Sequence, residues 1–175
     1  MRRIIASAAV LALLFSGAAL AQSSFILTVA VQPEMSLSSQ ESTLPLKFQN
    51  YAQGSRSNVR TAGYRIQANN LSSGSIQGIV AAKLKDPLER VELSASFQNY
   101  ENLGEKGFSV PRAVQPGFQP VTTSGTALAT KEGGDRGGSR VLDGRFFLAW
   151  QATLTEEAPA ETQTASVTIT VKDVE

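Results

Sequence analysis

Apolar side chains recur at every second position in several short stretches of this chain. Residues 63–68 alternate in this way, as do residues 91–97, 145–154 and 166–171. A period of two is that of a β-strand with one face in a core, whereas an amphipathic helix repeats its apolar residues every three or four positions. Outside the first 21 residues no stretch has a convincing helical repeat. The alternation therefore predicts an all-β fold.

The same alternation predicts which side chains point into the core. In residues 91–97 we expect the serines and the glutamate between the apolar residues to face outward. The predicted inward-facing residues are Tyr64, Ile66 and Ala68; Val91, Leu93, Ala95 and Phe97, with Glu92, Ser94 and Ser96 outward; Phe146, Leu148, Trp150, Ala152 and Leu154; and Val167, Ile169 and Val171.

Glycine, proline and asparagine turns separate seven or eight such segments. Residues 25–31 and 76–85 are further predicted strands, and residues 44–51 are a weaker one because Pro45 is typical of an edge or a strand start. A short helix across residues 84–91 is an alternative. This pattern predicts an antiparallel Ig-like β-sandwich of about seven to eight strands, forming one domain over residues 22–175.

Two loops are predicted in the second half of the chain. Residues 126–130 and 145–154 flank the glycine-rich stretch 133–138, an arrangement that predicts a hairpin with a mobile tip. Residues 99–119 contain several glycines and prolines and no clear period. A loop of this length is expected to be functional or loosely ordered.

The first 21 residues have the three parts of a secretory signal peptide. Arg2 and Arg3 form a positive start, residues 4–15 are apolar, and the segment ends in small residues around Ala19 and Ala21. The apolar run spans about 18 Å as a helix, against roughly 30 Å for the hydrocarbon core of a membrane. We therefore expect general secretion with cleavage after Ala21, and a periplasmic or extracellular protein with no integral membrane span.

Composition narrows the classes of function. Removing residues 1–21 takes two arginines from 16 basic residues and leaves 15 acidic ones, a net charge of −1 that does not favour nucleic acid. The chain has no cysteine, so no disulfide can stabilise it, and no histidine, the usual general base and commonest metal ligand. The sequence thus predicts a non-enzymatic protein without a cofactor or metal.

The two ends carry a resemblance to a known class of protein. Residues 158–163 read Ala-Pro-Ala-Glu-Thr-Gln and lead into a Thr/Val strand, and residues 25–31 precede Gln32 and Pro33. These ends resemble bacterial exported Ig-like β-sandwich surface domains, the pilin-like and spore-coat-U-like domains, which often read Ala-Pro-Ala-Gly-Thr-Tyr. Glu161 replaces the usual Gly and Gln163 the usual Tyr. The resemblance leaves residues 44–145 unmatched; it implies a structural, adhesive or assembly role at the cell envelope and no site residues.

Three groups of side chains are candidate sites, and each group also has a structural interpretation. Phe146, Phe147 and Trp150 could stack on a sugar, but Phe146 and Trp150 share the predicted core face, which leaves only Phe147 for the surface. Asp135 and Asp143 could bind calcium, although three nearby arginines oppose a cation. The acidic candidates for a glycosidase pair, which nothing marks as buried together, are Glu89, Glu92, Glu101 and Glu105.

Residues 25–31 are the remaining candidate. They begin just after the predicted cleavage site, and Phe25, Leu27, Val29 and Val31 share one face, so this strand could complete the sheet of another subunit. The alternative is an ordinary first strand. We therefore expect a structural or interaction module of the bacterial envelope, acting through loops 99–119 and 133–138. The alternatives are a fibre or coat subunit assembled by strand exchange and a soluble binding protein for a carbohydrate or apolar ligand held between the sheets.

Overall fold

The computed structural model describes residues 22–30, 35–39, 41–69, 71, 74–104, 110–131, 141–158 and 162–171 of the 175-residue chain. The predicted signal peptide, residues 1–21, lies outside the described residues. The glycine-rich stretch 133–138 and Val31 also lie outside them.

Eleven strands and no helix occur among the described residues. Eight strands have five or more residues, and three have two or three. The strand Met35–Ser39 was not predicted, and of the predicted strand 44–51 only Leu46–Lys47 forms a strand. The strands are β1 (Gln22–Ala30), β2 (Met35–Ser39), β3 (Leu46–Lys47), β4 (Arg60–Ala68), β5 (Ile76–Leu84), β6 (Val91–Asn102), β7 (Pro111–Ala113), β8 (Gln119–Pro120), β9 (Thr126–Lys131), β10 (Leu142–Leu154) and β11 (Thr162–Val171).

The strands form two sheets, as expected for a β-sandwich. The six-stranded sheet has the order β3-β1-β11-β5-β9-β7, and the five-stranded sheet has the order β2-β4-β10-β6-β8. All neighbouring strands are antiparallel except β1 and β11, which pair in parallel over nine residues. A parallel pair needs a long crossover connection, and the chain between these two strands provides it. The prediction of an antiparallel sandwich is correct for every pair but this one.

The core lies between the sheets and includes the residues that the alternation placed inward, except that Val91 is only partly buried. Tyr64 and Phe146 are fully buried, and Trp150 is 1% exposed. The rings of Tyr64 and Phe146 stack with centroids 5.0 Å apart, and Phe97 stacks on Phe146 at 6.0 Å. Each buried aromatic side chain contributes about 1.5–3 kcal/mol relative to exposure, so this stack is a large part of the core's stability in a chain without disulfides.

Strand β6 departs from the predicted alternation. Ser94 and Ser96 are only 8% and 4% exposed, although we expected both to face solvent. Ser94 is paired with Pro120 of β8, and the Gln98 side chain donates a hydrogen bond from Nε2 to Ser96 Oγ at 3.0 Å. Both serines are small enough to be covered by these neighbours.

A register shift follows in the same strand, since Phe147 is opposite Asn99 while Leu148 is opposite Phe97. Gln98 is therefore the additional residue of a β-bulge. The strand also runs on to Asn102. Residues 99–102 thus belong to a strand and not to the predicted loop 99–119, which in addition contains β7.

The predicted hairpin between residues 126–130 and 145–154 does not form. Strand β9 pairs with β5 and β7 in the six-stranded sheet, whereas β10 pairs with β4 and β6 in the five-stranded sheet. The ten residues between the two strands are long enough to cross from one sheet to the other. A tight hairpin would instead have paired β10 with β9 and placed it in the six-stranded sheet. The connection between β5 and β6 is also non-helical, and Arg90 has a φ of 56° there.

Candidate functional site

The predicted aromatic platform is divided between the core and a half-buried position. Phe146 and Trp150 are buried, as their place in the alternation predicts, and a pyranose ring cannot reach either of them. Phe147 lies on the opposite face of β10, opposite Gly63 of β4. A Cβ atom on Gly63 would lie 3.3 Å from Phe147 Cε1, so the phenyl ring covers this glycine. Phe147 therefore packs on its own sheet and leaves only part of its surface in solvent.

A small cavity lies at one end of the core beside Trp150. It is bounded by residues 41–44 and by the side chains of Tyr64, Trp150 and Val167, and its volume is about 10 Å³. A space of this size holds about one water molecule. Burial raises the pKa of the Tyr64 hydroxyl well above its usual value, against the effect of a hydrogen bond with Trp150. The cavity is thus a packing feature at an aromatic pair and has no room for a sugar or a lipid chain.

Asp143 lies where an arginine compensates its charge. The Arg65 guanidinium forms an ion pair with the Asp143 carboxylate and donates hydrogen bonds at 2.8 Å to the carbonyl oxygens of Ile66 and Gly144. An arginine in this position opposes the binding of a cation by Asp143. Asp135, the other proposed calcium ligand, lies outside the described residues.

Tyr100 lies beside this ion pair. Burial and, second to it, the negative charge of Asp143 raise the pKa of its hydroxyl to about 12, while the positive charge of Arg65 acts to lower the pKa. The surroundings of Tyr100 therefore favour the neutral, protonated form of its hydroxyl group.

The three described acidic residues among the glycosidase candidates are exposed. Glu89 and Glu92 flank the start of β6, and Glu101 lies near its end, where its carboxylate is 3.9 Å from the Arg145 guanidinium. A general acid in such enzymes is buried among apolar groups, which none of these three is. Glu105 lies outside the described residues. Among the residues that the structure describes, no cluster of three or more Asp, Glu, His or Cys side chains could hold a metal ion.

The described surface has one apolar feature, and it lies in the predicted loop 99–119. The sequence predicted the loop but did not identify the exposed apolar residues in it. Five large apolar side chains are exposed in the described part of the chain, and four of them fall between residues 103 and 118. These four are Leu103, Val110, Val114 and Phe118, at 52%, 46%, 43% and 37% exposure. We call them the apolar loop residues. The signal for them was available, since Val and Phe in a glycine- and proline-rich segment have no strand partner to bury them.

Backbone hydrogen bonds attach this segment to both sheets. The amide groups of Leu103 and Gly104 donate to the carbonyl oxygen of Asp143 at 3.0 and 3.1 Å, and the amide of Val114 donates to Leu128 at 3.1 Å. Two of the apolar loop residues are therefore presented from backbone that is held by the sandwich.

No protein-family model matches this chain, and no curated protein matches it. The fold and the surface of the chain are thus the basis for any statement about its function. None of the described residues forms a helix long and apolar enough to span a membrane.

Strand β1, the predicted donor strand, pairs within its own chain. It lies beside β11 along all nine residues, but beside β3 only at Gln22 and Ser23. Within the described part of the chain, residues 24–30 therefore have a strand neighbour on one side only. This is the position of an edge strand over most of its length.

Proposed function

We propose that this chain is an exported, non-enzymatic structural or interaction module of the bacterial cell envelope. The signal-like first 21 residues support export, and the resemblance of the two chain ends to envelope surface domains supports the compartment. The two-sheet architecture is a common scaffold for such modules. Polar side chains that could suggest a catalytic or binding role are engaged within the fold, as Arg65 and Asp143 are in their ion pair.

The observation that carries the proposal is the concentration of exposed apolar side chains in residues 103–118. Isolated apolar residues on a surface are ordinary, whereas four large ones exposed within one short segment support a contact with another molecule. Because the backbone at Leu103 and Val114 is hydrogen-bonded to the sandwich, the ordering cost of binding is lower than for a free loop. The apolar loop residues are thus the proposed contact surface.

Export is tested by producing the full-length chain in a bacterium, separating the cell fractions and sequencing the N-terminus of the product. The proposal expects a product that begins at Gln22 and lies outside the cytoplasm. A cytoplasmic chain that retains residues 1–21 would contradict it.

The contact surface is tested with Val114→Ser/Phe118→Ser, and Val59→Ser is the matched control because Val59 is equally exposed (48%) but lies elsewhere. Loss of two apolar contacts is expected to weaken retention of the protein on washed envelopes by about ten-fold or more. The control should be retained as the wild type is. Equal retention of all three proteins would contradict a contact role for residues 103–118.

Strand exchange is a second candidate function, favoured by the exposed edge of β1. A strand with one neighbour over residues 24–30 can leave its own sheet and pair with β11 of another copy at a smaller cost than a central strand. Size-exclusion chromatography should then show polymers, and deletion of residues 25–31 should give monomers that bind a peptide of that sequence. A monomer that simply unfolds on this deletion would contradict the exchange.

A further inference from the structure

The two sheets have four edge strands, and three of them carry features that prevent pairing with another strand. Strand β3 has two residues, one of them Lys47; β7 has three residues and contains Pro111 and Arg112; β8 has two residues and ends at Pro120. Short length, charge and proline are the usual protection of a sheet edge, because each removes or blocks backbone donors.

The fourth edge, β2, has none of these features. It has five residues, Met-Ser-Leu-Ser-Ser, with no charge, no proline and no shift in its register with β4. Within the described part of the chain its only strand neighbour is β4. Alternate N–H and C=O groups of an edge strand point away from its neighbour, so β2 offers a row of open hydrogen-bonding groups.

The side chains of β2 leave this row accessible. Ser36 and Ser38 are exposed and small, while Leu37 between them is 7% exposed and belongs to the core. A strand that approaches from the open side therefore meets small side chains at Ser36 and Ser38, and it can continue the core at Leu37.

The order of residues in β2 indicates which strand can pair with its open edge. When two copies of β2 pair antiparallel about a two-fold axis at Leu37, each Ser36 faces Ser38 of the other copy, and the two leucines adjoin. No like charges face each other in this arrangement. Among the described side chains of β2, at positions 36–39, a foreign partner finds no charge and no large exposed group to recognise, whereas a second copy matches Ser36, Leu37 and Ser38 residue for residue.

We propose that β2 pairs with β2 of a second copy, so that two five-stranded sheets join into one continuous sheet of ten strands. The proposal rests on the structural role proposed above, because it names a second copy of the chain as the partner. Five residue pairs form a small interface, and we therefore expect a dimer whose population rises with concentration.

The test compares two double variants of the purified full-length chain by sedimentation equilibrium. In Ser36→Lys/Ser38→Glu, the paired strands place opposite charges face to face twice; in Ser36→Glu/Ser38→Glu, they place like charges face to face twice. Both variants have Ser38→Glu, which places the same charge opposite Arg65 of β4. They therefore differ at position 36 alone.

We expect wild type and Ser36→Lys/Ser38→Glu to dimerise and Ser36→Glu/Ser38→Glu to dimerise about ten-fold or more weakly, with similar thermal stability of the two variants. Wild type that remains monomeric at all concentrations would overturn the proposal. Equal dimerisation of the two variants would also overturn it, since the contact would then lie on another surface, such as the exchanged β1.

A second measurement does not depend on charge. The chain has no cysteine, so Ser36→Cys/Ser38→Cys introduces the only thiols. Mild oxidation should give a covalent dimer, whereas Ser124→Cys, in an exposed turn, should not. Absence of the crosslink in a folded protein would contradict pairing at β2. Both measurements use purified protein, so their failure leaves the test of export unaffected.

Discussion

The ring of Tyr100 occupies the space that a side chain on Gly144 would need. A Cβ atom on Gly144 would collide with Cζ and the hydroxyl oxygen of Tyr100 and would lie 2.5 Å from the carbonyl oxygen of Glu101. The two residues meet because β10 and β6 are neighbours, with Phe146 opposite Tyr100. Gly144 is thus required by close approach of a ring and not by its backbone conformation.

Replacing Gly144 by alanine is therefore expected to destabilise the fold. Overpacking of this kind costs about 1–3 kcal/mol, seen as a lower midpoint in thermal or urea unfolding. Gly74→Ala is the matched control, because a Cβ at that position has no neighbour within 4 Å. Tyr100→Leu should restore part of the loss in the Gly144→Ala background. Equal stability of Gly144→Ala and the wild type would contradict the assigned packing.

Tyr100 also makes the stability depend on alkaline pH. Its pKa rises from 10.0 to about 12 in the folded chain, so the folded state keeps the phenol proton that the unfolded state has lost. The unfolded state therefore binds fewer protons between these values, and stability falls as the pH rises through this window. The contribution is complete below pH 10.0 and is lost by about pH 12.

The measurement is the urea midpoint of the wild type and of Tyr100→Phe across this alkaline range. The variant has no phenol to ionise at this position, so its midpoint should fall less steeply. Tyr51→Phe, at a half-buried tyrosine in another part of the chain, is the control for loss of a hydroxyl group. Parallel curves for Tyr100→Phe and wild type would show that Tyr100 does not cause the alkaline loss.

The ion pair between Arg65 and Asp143 should contribute more than the pair between Arg90 and Glu156. Arg65 and Asp143 are 31% and 26% exposed, and Arg65 donates two further hydrogen bonds to backbone carbonyl oxygens. Arg90 and Glu156 are 46% and 69% exposed and lie 3.8 Å apart. Screening by water leaves little energy in an exposed pair.

Double-mutant cycles with alanine measure both pairs. We expect a coupling energy of about 1 kcal/mol for Arg65 with Asp143 and less than about 0.5 kcal/mol for Arg90 with Glu156. Arg65→Ala alone should cost more than Asp143→Ala, since it also removes the donors to Ile66 and Gly144. Similar coupling in both cycles would indicate that the first pair is as well hydrated as the second.

The buried faces of β4, β10 and β11 were predictable from sequence because side chains in a strand alternate strictly. Tyr64, Trp150 and Ile169 are all buried as predicted. The same rule placed Phe147 outside the core, where it lies half-buried over Gly63. Local periodicity thus identifies a buried face without any knowledge of the partner strand.

Pairing between strands could not be predicted in this way. The parallel pair of β1 and β11 and the separation of β9 from β10 depend on contacts between residues far apart in the chain, which leave no local pattern. The burial of Ser94 and Ser96 was missed for a related reason, because β8 and Gln98 cover them only after folding.

Lys131 is the clearest case of burial that the sequence does not indicate. It lies at the end of β9 between Ile76 of β5 and Pro111 of β7, and its side chain is fully buried. Its ammonium group donates a hydrogen bond to the carbonyl oxygen of Gly74 at 3.1 Å. The aliphatic part of the side chain therefore fills core space, while its end supplies a donor to a backbone carbonyl.

Lys131→Met should consequently be tolerated better than Lys131→Ala. Methionine keeps most of the volume and loses the ammonium group with its polar interactions, whereas alanine also leaves a cavity, so we expect about 1–2 kcal/mol for the first change and about 2–4 kcal/mol for the second. Lys83→Ala, at an exposed lysine of the neighbouring strand β5, should change stability by less than about 0.5 kcal/mol. Urea unfolding of the three variants gives the order. If Lys131→Met were as destabilising as Lys131→Ala, the ammonium group and not the packed chain would be the stabilising part.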